Sequence, residues 1–165
     1  MENHNKKIHI VLLEPEIPQN TGNIGRTCAA TGTELAFVGK MGFKINSKEI
    51  RRSGLDYWQY LKYSVYPSFE DFLKTLGENP PLIFFSTKGK KTYWEAPYRA
   101  DSCLIFGSEG AGLPLEYYGK YKDKLYLIPM VSKHARSLNL STSAGIALYE
   151  GLRRQGAVLS PKTAC

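Results

Sequence analysis

Short runs of consecutive apolar residues recur along this sequence, and segments with helical spacing separate them. The runs have few polar residues at alternate positions, which is typical of strands buried on both faces of a sheet. They span residues 8–13, 35–38, 82–86, 102–106 and 124–128. Because such strands must be covered on both sides, the pattern predicts a sheet between two layers of helices.

The segments between these runs carry helix signals. A helix over residues 21–31 would end at Gly32, which suits a left-handed C-terminal turn. Ser68 opens a capping box, and Pro114 suits a first helical turn. Residues 141–154 place apolar side chains at helical spacing. Strands that alternate with helices predict an α/β fold with a mainly parallel sheet flanked by helices.

The length of 165 residues fits a single domain over residues 1–165, with loose ends near 1–6 and 157–165. No apolar run approaches the roughly 20 residues that cross a bilayer, and the N-terminus lacks a secretory signal. We therefore expect a cytoplasmic protein that does not bind a membrane. Three widely spaced cysteines and three histidines have no metal-ligand spacing, so we expect no bound metal.

The charge balance favours a polyanionic partner. The chain has 22 Lys and Arg against 15 Asp and Glu, which is a formal net charge of +7. Lys and Arg release counterions from phosphates, so a basic domain of this size favours nucleic acid. A protein that is merely basic is the alternative.

The first unusual loop, residues 14–26, is dense in Pro, Gly and Asn and leads into a predicted helix. In open α/β sheets, ligands bind beyond the carboxyl ends of the strands, and this loop begins at such an end. Asn20, Asn23 and Arg26 follow on successive turns, which indicates an anion or ribose site. Helix capping alone is the alternative, because Asn and Thr are common caps.

Two further loops follow strand-like runs. Residues 106–114 contain three glycines, which would let a ligand approach the backbone closely. Their spacing is not that of a dinucleotide fold, which argues against a nicotinamide-dependent oxidoreductase. Residues 128–143 are irregular before the last helix, whose cap is either Ser141 or Asn139. The chain also lacks a Gly-x-Ser-x-Gly nucleophile elbow and a His-Glu-x-x-His helix, two motifs of hydrolases.

Together the three loops resemble the three motifs of the SPOUT methyltransferases, and they match the small bacterial tRNA (cytidine/uridine 34) 2′-O-methyltransferases best. The first motif reads Pro-Glu-Ile-Pro-Gln-Asn-Thr-Gly-Asn-Ile-Gly-Arg. The second reads Phe-Gly-Ser-Glu-Gly-Ala-Gly-Leu-Pro, and the third reads Ile-Pro-Met followed by Arg-Ser-Leu-Asn-Leu-Ser. The resemblance extends from Ile8 to Gly156.

The resemblance implies a C-terminal trefoil knot and a homodimer whose sites lie near the subunit interface. It also implies that S-adenosyl-L-methionine donates a methyl group to the ribose 2′-hydroxyl of the wobble nucleotide in the tRNA anticodon stem-loop. The positions that match cofactor-binding residues are Phe85, Thr87, Gly107, Ile128, Ser137 and Leu138. Those that match catalytic residues are Arg26, Glu109 and Asn139. Those that match substrate-binding residues are Asn20, Asn23, Arg136 and Tyr149.

Two alternatives to this function stay open. Ser108 and Gly110 differ from the residues common in the tRNA subgroup and resemble relatives that methylate rRNA, so another tRNA or rRNA site is one alternative. A non-catalytic RNA-binding protein on the same fold is the other. For Arg26 we favour a hydrogen-bond donor that stabilises the developing alkoxide over a base, because a guanidinium has a pKa above about 12.

Overall fold

The computed structural model describes residues 7–46, 48, 50, 52 and 56–156, so both of the ends predicted to be loose, 1–6 and 157–165, lie outside the described residues. The described residues form one sheet of seven strands, and all of its strand pairs are parallel. The strands are β1 (His9–Leu13), β2 (Glu34–Val38), β3 (Tyr63–Tyr66), β4 (Leu82–Phe85), β5 (Lys91–Thr92), β6 (Cys103–Phe106) and β7 (Leu125–Leu127).

The strands lie in the order β3-β2-β1-β6-β4-β7-β5, which confirms the predicted parallel α/β fold. Strand β1 lies inside the sheet, with Leu12 opposite Phe37 of β2 on one side and Phe106 of β6 on the other. The carboxyl ends of β1, β6, β4 and β7 therefore meet at one edge of the sheet. The trefoil knot implied by the resemblance stays a prediction.

The helices whose bounds are described are α1 (Pro18–Thr31), α2 (Phe69–Lys74), α3 (Leu115–Lys120) and α4 (Leu140–Arg154). Helix α1 begins earlier than predicted, because Pro18 occupies its first turn, where a missing amide hydrogen costs little. It ends at Gly32 with a φ of +68°, as predicted. Pro114 is the N-cap of α3 and not its first residue. None of the described helices has the length and apolar character needed to cross a membrane.

Each face of the sheet packs against a different pair of helices. Leu12 belongs to a core cluster that contains Ile24 of α1 and Leu148 of α4. Its neighbour Leu13 belongs to a second cluster, which contains Tyr117 of α3 and aromatic residues of α2. Successive strand residues point to opposite faces, so a continuous apolar run supplies both clusters. The pair α1 and α4 covers the face next to the first and third loops.

Candidate functional site

The three unusual loops border a single cleft of about 580 Å³ at the carboxyl edge of the sheet. A cleft of this size lies within the roughly 300–1,000 Å³ range of small-molecule sites. The apolar side chains that line it are Ile17, Phe85, Phe106, Ala111, Leu113, Ile128, Met130, Leu138 and Leu140. Such walls surrounded by backbone groups suit a planar ring with polar edges.

The second loop forms a tight hairpin directly after β6. Ser108 and Gly112 exchange two backbone hydrogen bonds, of 3.1 and 2.9 Å. A β-carbon at Gly107 would lie 2.0 Å from the carbonyl carbon of Gly112, so only glycine permits this close approach. Gly112 has a φ of +72°, a conformation that also favours glycine. The glycines therefore set the shape of the hairpin that borders the cleft.

The carboxylate of Glu109 joins this hairpin to the start of α1. It accepts hydrogen bonds from the backbone amides of Glu16 (2.8 Å) and Ile17 (3.2 Å) and from Nδ2 of Asn20 (3.1 Å). Ile17 is the N-cap of α1 and has no side chain that can cap the helix, so Glu109 supplies the acceptor and negative charge favoured there. In return, Glu16 Oε2 accepts from the amide of Gly110 at 2.9 Å.

Asn139 extends the network to the third loop. Its Nδ2 donates to Oδ1 of the buried Asn20 at 2.9 Å. Its Oδ1 accepts from the amides of Ser141 and Thr142, which makes Asn139, and not Ser141, the cap of α4. Glu109, Asn20 and Asn139 thus form a continuous series of hydrogen bonds that holds the three loops together around the cleft.

The six residues that match cofactor-binding positions all line this cleft: Phe85, Thr87, Gly107, Ile128, Ser137 and Leu138. The ring of Phe85 is buried and stacks on that of Phe106, with centroids 4.8 Å apart. Of the backbone amides in residues 130–138, only that of His134 donates a hydrogen bond within the described chain, to Ser132 Oγ. The other backbone amides in this segment donate to no acceptor among the described residues, so they can pair with a ligand.

The residues that match the RNA substrate fall into two groups. Asn20 and Arg136 line the cleft, with Arg136 exposed on the third loop. Asn23 and Tyr149 are exposed but do not line the cleft. Asn20 uses both ends of its side-chain amide within the protein, so in this structure it connects loops.

Arg26 lies outside the lining of the cleft and is exposed on α1. It is six residues beyond Asn20, which corresponds to about 9 Å along a helix axis. Its guanidinium carbon lies 5.0 Å from the centroid of the Tyr57 ring. The Tyr57 hydroxyl donates to the carbonyl of Gly22 at 3.0 Å, so the ring under Arg26 is itself anchored to α1.

Lys88 and Tyr118 are among the cleft residues that the sequence motifs do not identify as site residues. The Nζ of Lys88 lies 4.7 Å from the centroid of the Tyr118 ring. One signal is present in the sequence, because Lys88 lies three residues beyond the carboxyl end of β4. Its contact with Tyr118 of α3 depends on the fold.

The other reactive groups that the structure describes do not suggest another chemistry. Burial raises the pKa of the Cys28 thiol and that of the Cys103 thiol to about 12, so neither is a thiolate nucleophile near neutral pH. Within the described residues, no group of three or more His, Cys, Asp or Glu side chains is placed to hold a metal ion.

Comparison with known proteins identifies relatives of this chain. Residues 7–149 match the model of the SpoU rRNA Methylase family. A tRNA (cytidine(34)-2'-O)-methyltransferase from Saccharophagus degradans is 39% identical over 150 residues, covering 90% of this chain and 96% of that protein.

Solved structures with the same fold agree with this match. One, described as giving structural insights into the 2-OH methylation of C/U34 on tRNA, has a TM-score of 0.85 at 39% identity, covering 91% of this chain and 97% of that one. An AdoMet-bound rRNA methyltransferase from Sinorhizobium meliloti has a TM-score of 0.80 at 26% identity, covering 93% of this chain and 59% of that one. This chain therefore belongs to the SpoU rRNA methylase family.

Proposed function

We propose that this protein transfers a methyl group from S-adenosyl-L-methionine to the ribose 2′-hydroxyl of C34 or U34, the wobble nucleotide of tRNA. Two relatives at 39% identity support the proposal, because the descriptions of both name 2′-O methylation of nucleotide 34 of tRNA. The observation that carries it is the cleft, around which Glu109, Asn20 and Asn139 connect the three motif loops. A tRNA substrate is consistent with the expected cytoplasmic location.

The cleft fits the cofactor in size and in chemistry. Its apolar walls suit the adenine ring, and the available backbone amides of Ser137 and Leu138 can pair with polar edges of the nucleoside. The residues that would hold the cofactor are Phe85, Thr87, Gly107, Ile128, Ser137 and Leu138. When bound, S-adenosyl-L-methionine supplies a methyl group on a sulfonium, and the protein contributes binding, orientation and electrostatics.

The chain's own residues have to hold the ribose hydroxyl and stabilise the charge that develops on its oxygen. Arg136 borders the cleft and has no ion pair within the described residues, so its guanidinium is available to an RNA phosphate. The carboxylate of Glu109 already accepts three hydrogen bonds, and the Asn139 amide is engaged at both ends. We therefore assign Glu109 and Asn139 to positioning of the loops.

We further propose that the protein is a homodimer in which Arg26 of one protomer reaches the cleft of its partner. The exposed position of Arg26, outside the lining of its own cleft, supports this arrangement. Helices α1 and α4 pack together, and the exposed Tyr149 of α4 would be covered by a second copy. Light scattering at micromolar protein concentration tests the homodimer, and a stable monomer of 18.5 kDa would contradict this proposal.

The decisive experiment is transfer of labelled methyl groups to tRNA and rRNA that lack ribose methylation, followed by mapping of the labelled nucleotide. We expect label at nucleotide 34 of tRNA. Label confined to another tRNA position or to rRNA would mean that the enzyme has a different target. Ser108 and Gly110 are the residues in the sequence that favour this alternative. Cofactor binding without transfer to any RNA would favour a non-catalytic RNA-binding protein.

Substitution of Arg26 separates catalysis from cofactor binding. We expect Arg26→Ala to lower the single-turnover rate by orders of magnitude and to leave cofactor affinity nearly unchanged. Arg26→Lys should restore little activity, because lysine keeps the charge but lacks the planar fork of donors. Near-normal turnover by Arg26→Ala would exclude the catalytic role. A parallel loss of melting temperature and cofactor affinity in both variants would make the role structural.

A further inference from the structure

Lys88 is held in the cleft by the turn that follows β4. The amide of Gly89 donates to the Ser86 carbonyl at 3.0 Å, and a β-carbon at Gly89 would lie 2.6 Å from the Tyr126 backbone, so the turn packs closely on β7. From this turn the Lys88 ammonium reaches the ring of Tyr118 on α3, at 4.7 Å from its centroid. A cation at this distance from an aromatic face is attracted to it, which limits where the ammonium can move.

A hydroxyl hydrogen beside this ammonium is also available. Ser86 Oγ and the Tyr118 hydroxyl share one hydrogen bond of 3.2 Å, and Ser86 Oγ accepts a second from the Lys88 amide at 3.2 Å. Only one O–H group is needed for the shared bond, so the other hydroxyl keeps its hydrogen for a ligand. An ammonium and a hydroxyl side by side form a pair of donors suited to an anionic oxygen group.

The charges in the cleft are not balanced within the protein. The charged side chains that line it are Lys88, Arg136 and Glu109. The Glu109 carboxylate is occupied by donors at the start of α1, and neither cation has an ion pair within the described part of the chain. The cleft can therefore bind two anionic groups.

The proposed reaction brings two anionic groups to the cleft, the carboxylate in the methionine part of the cofactor and a phosphate of the RNA. Lys88 belongs to the same turn as Thr87, a residue that matches a cofactor-binding position. Arg136 instead lies on the exposed third loop, where a large RNA can reach it. We infer that Lys88, with the available hydroxyl of Ser86 or Tyr118, binds the cofactor carboxylate. This inference rests on the proposed function.

The test compares two ligands that differ in the amino-acid group, which bears the carboxylate. S-adenosylhomocysteine carries it, whereas 5′-methylthioadenosine has the same adenosine and thioether without the amino-acid group. Lys88→Met keeps most of the side-chain volume and removes the charge. We expect calorimetry to show that Lys88→Met lowers the affinity for S-adenosylhomocysteine roughly 5- to 30-fold. The affinity for 5′-methylthioadenosine should fall by less than about twofold.

Lys120→Met is a matched control. The Nζ of Lys120 also lies over a tyrosine ring, 5.3 Å from the centroid of Tyr121, but Lys120 does not line the cleft. We expect this variant to bind both ligands as the wild type does.

Each other outcome contradicts a specific statement. Equal weakening of both ligands by Lys88→Met would mean that Lys88 only stabilises the turn, which overturns the inference. Unchanged affinity for both ligands would also overturn it, and weaker tRNA binding in that case would identify a phosphate as the anion. A wild-type protein that binds neither ligand would refute the proposed function itself.

Discussion

Replacing Glu109 with glutamine distinguishes a positioning carboxylate from a proton acceptor. In the wild type, Oε2 accepts from the Glu16 amide, while Oε1 accepts from the Ile17 amide and from Asn20 Nδ2. A glutamine offers one oxygen and one donor nitrogen to these three donors. Its better orientation places the oxygen at the Oε1 position, which leaves the Glu16 amide facing another donor.

The cost follows from these contacts. A lost hydrogen bond to a charged group is worth about 1.5–3 kcal/mol, and a lost negative charge at a helix N-terminus about 0.3–1 kcal/mol. The Glu16 amide is exposed, so water can replace part of the lost contact, and we expect a total of about 1.5–2 kcal/mol. For a domain of this size, that corresponds to a decrease in Tm of about 3–8 °C.

Urea unfolding of Glu109→Gln measures this change, provided that the m-value is unaltered. Glu116→Gln is the matched control, because Glu116 is an exposed glutamate in the first turn of α3 and accepts no side-chain hydrogen bond within the described residues. We expect its stability to change by less than about 0.5 kcal/mol.

The two roles of Glu109 predict opposite results. If Glu109→Gln unfolds at the same urea concentration as the wild type, the hydrogen bonds of Glu109 do not hold the loops in place, and the positioning role is refuted. If that protein also binds S-adenosylhomocysteine normally and transfers no methyl group, Glu109 acts in the chemical step, as its match to a catalytic position predicts.

Three further predictions concern single positions. Gly107→Ala places a β-carbon 2.0 Å from the Gly112 carbonyl carbon. It should displace the hairpin and weaken S-adenosylhomocysteine binding at least about tenfold, and unchanged affinity in calorimetry would contradict this. Thr21 Oγ1 is buried without a hydrogen-bond partner among the described residues, so Thr21→Val should raise the free energy of unfolding by about 1 kcal/mol in urea titrations. Burial lowers the pKa of His9 below its unfolded value of 6.5, so the unfolded state takes up the proton first and stability should fall as the pH drops below about 6.5. His9→Gln should lose less stability as the pH drops. If the stability of the variant depends on pH as that of the wild type does, His9 does not cause the loss.

Local sequence signals were sufficient for the layers of the fold and for the ends of several helices. The apolar runs that became β1, β2, β4, β6 and β7 require burial on both faces, and that requirement depends only on their own residues. Gly32 ends α1 because it adopts a positive φ, and Ser68 caps α2 because its side chain reaches the amide of Asp71. Each of these signals acts over a few residues.

Strand β5 had no such signal. Its two residues, Lys91 and Thr92, carry no apolar pattern, and the strand exists because the edge of β7 offers unpaired backbone groups beside it. The strand order also depends on which segments meet after the whole chain has packed. The motif loops could therefore be located in the sequence, but their arrangement around one cleft depended on the tertiary fold.

The hydrogen bonds and ring contacts of the site join residues that are far apart in the chain. Asn20 bonds to Glu109 and to Asn139, which are 89 and 119 positions away in the chain. The sequence motif predicts that Asn20 contacts the RNA, whereas in the structure its amide connects the loops. Lys88 likewise acquires its place over Tyr118 only when β4 and α3 come together. Hydrogen bonds and ring contacts act over a few ångströms of space, so the fold, and not the spacing of residues along the chain, decides which side chains can make them.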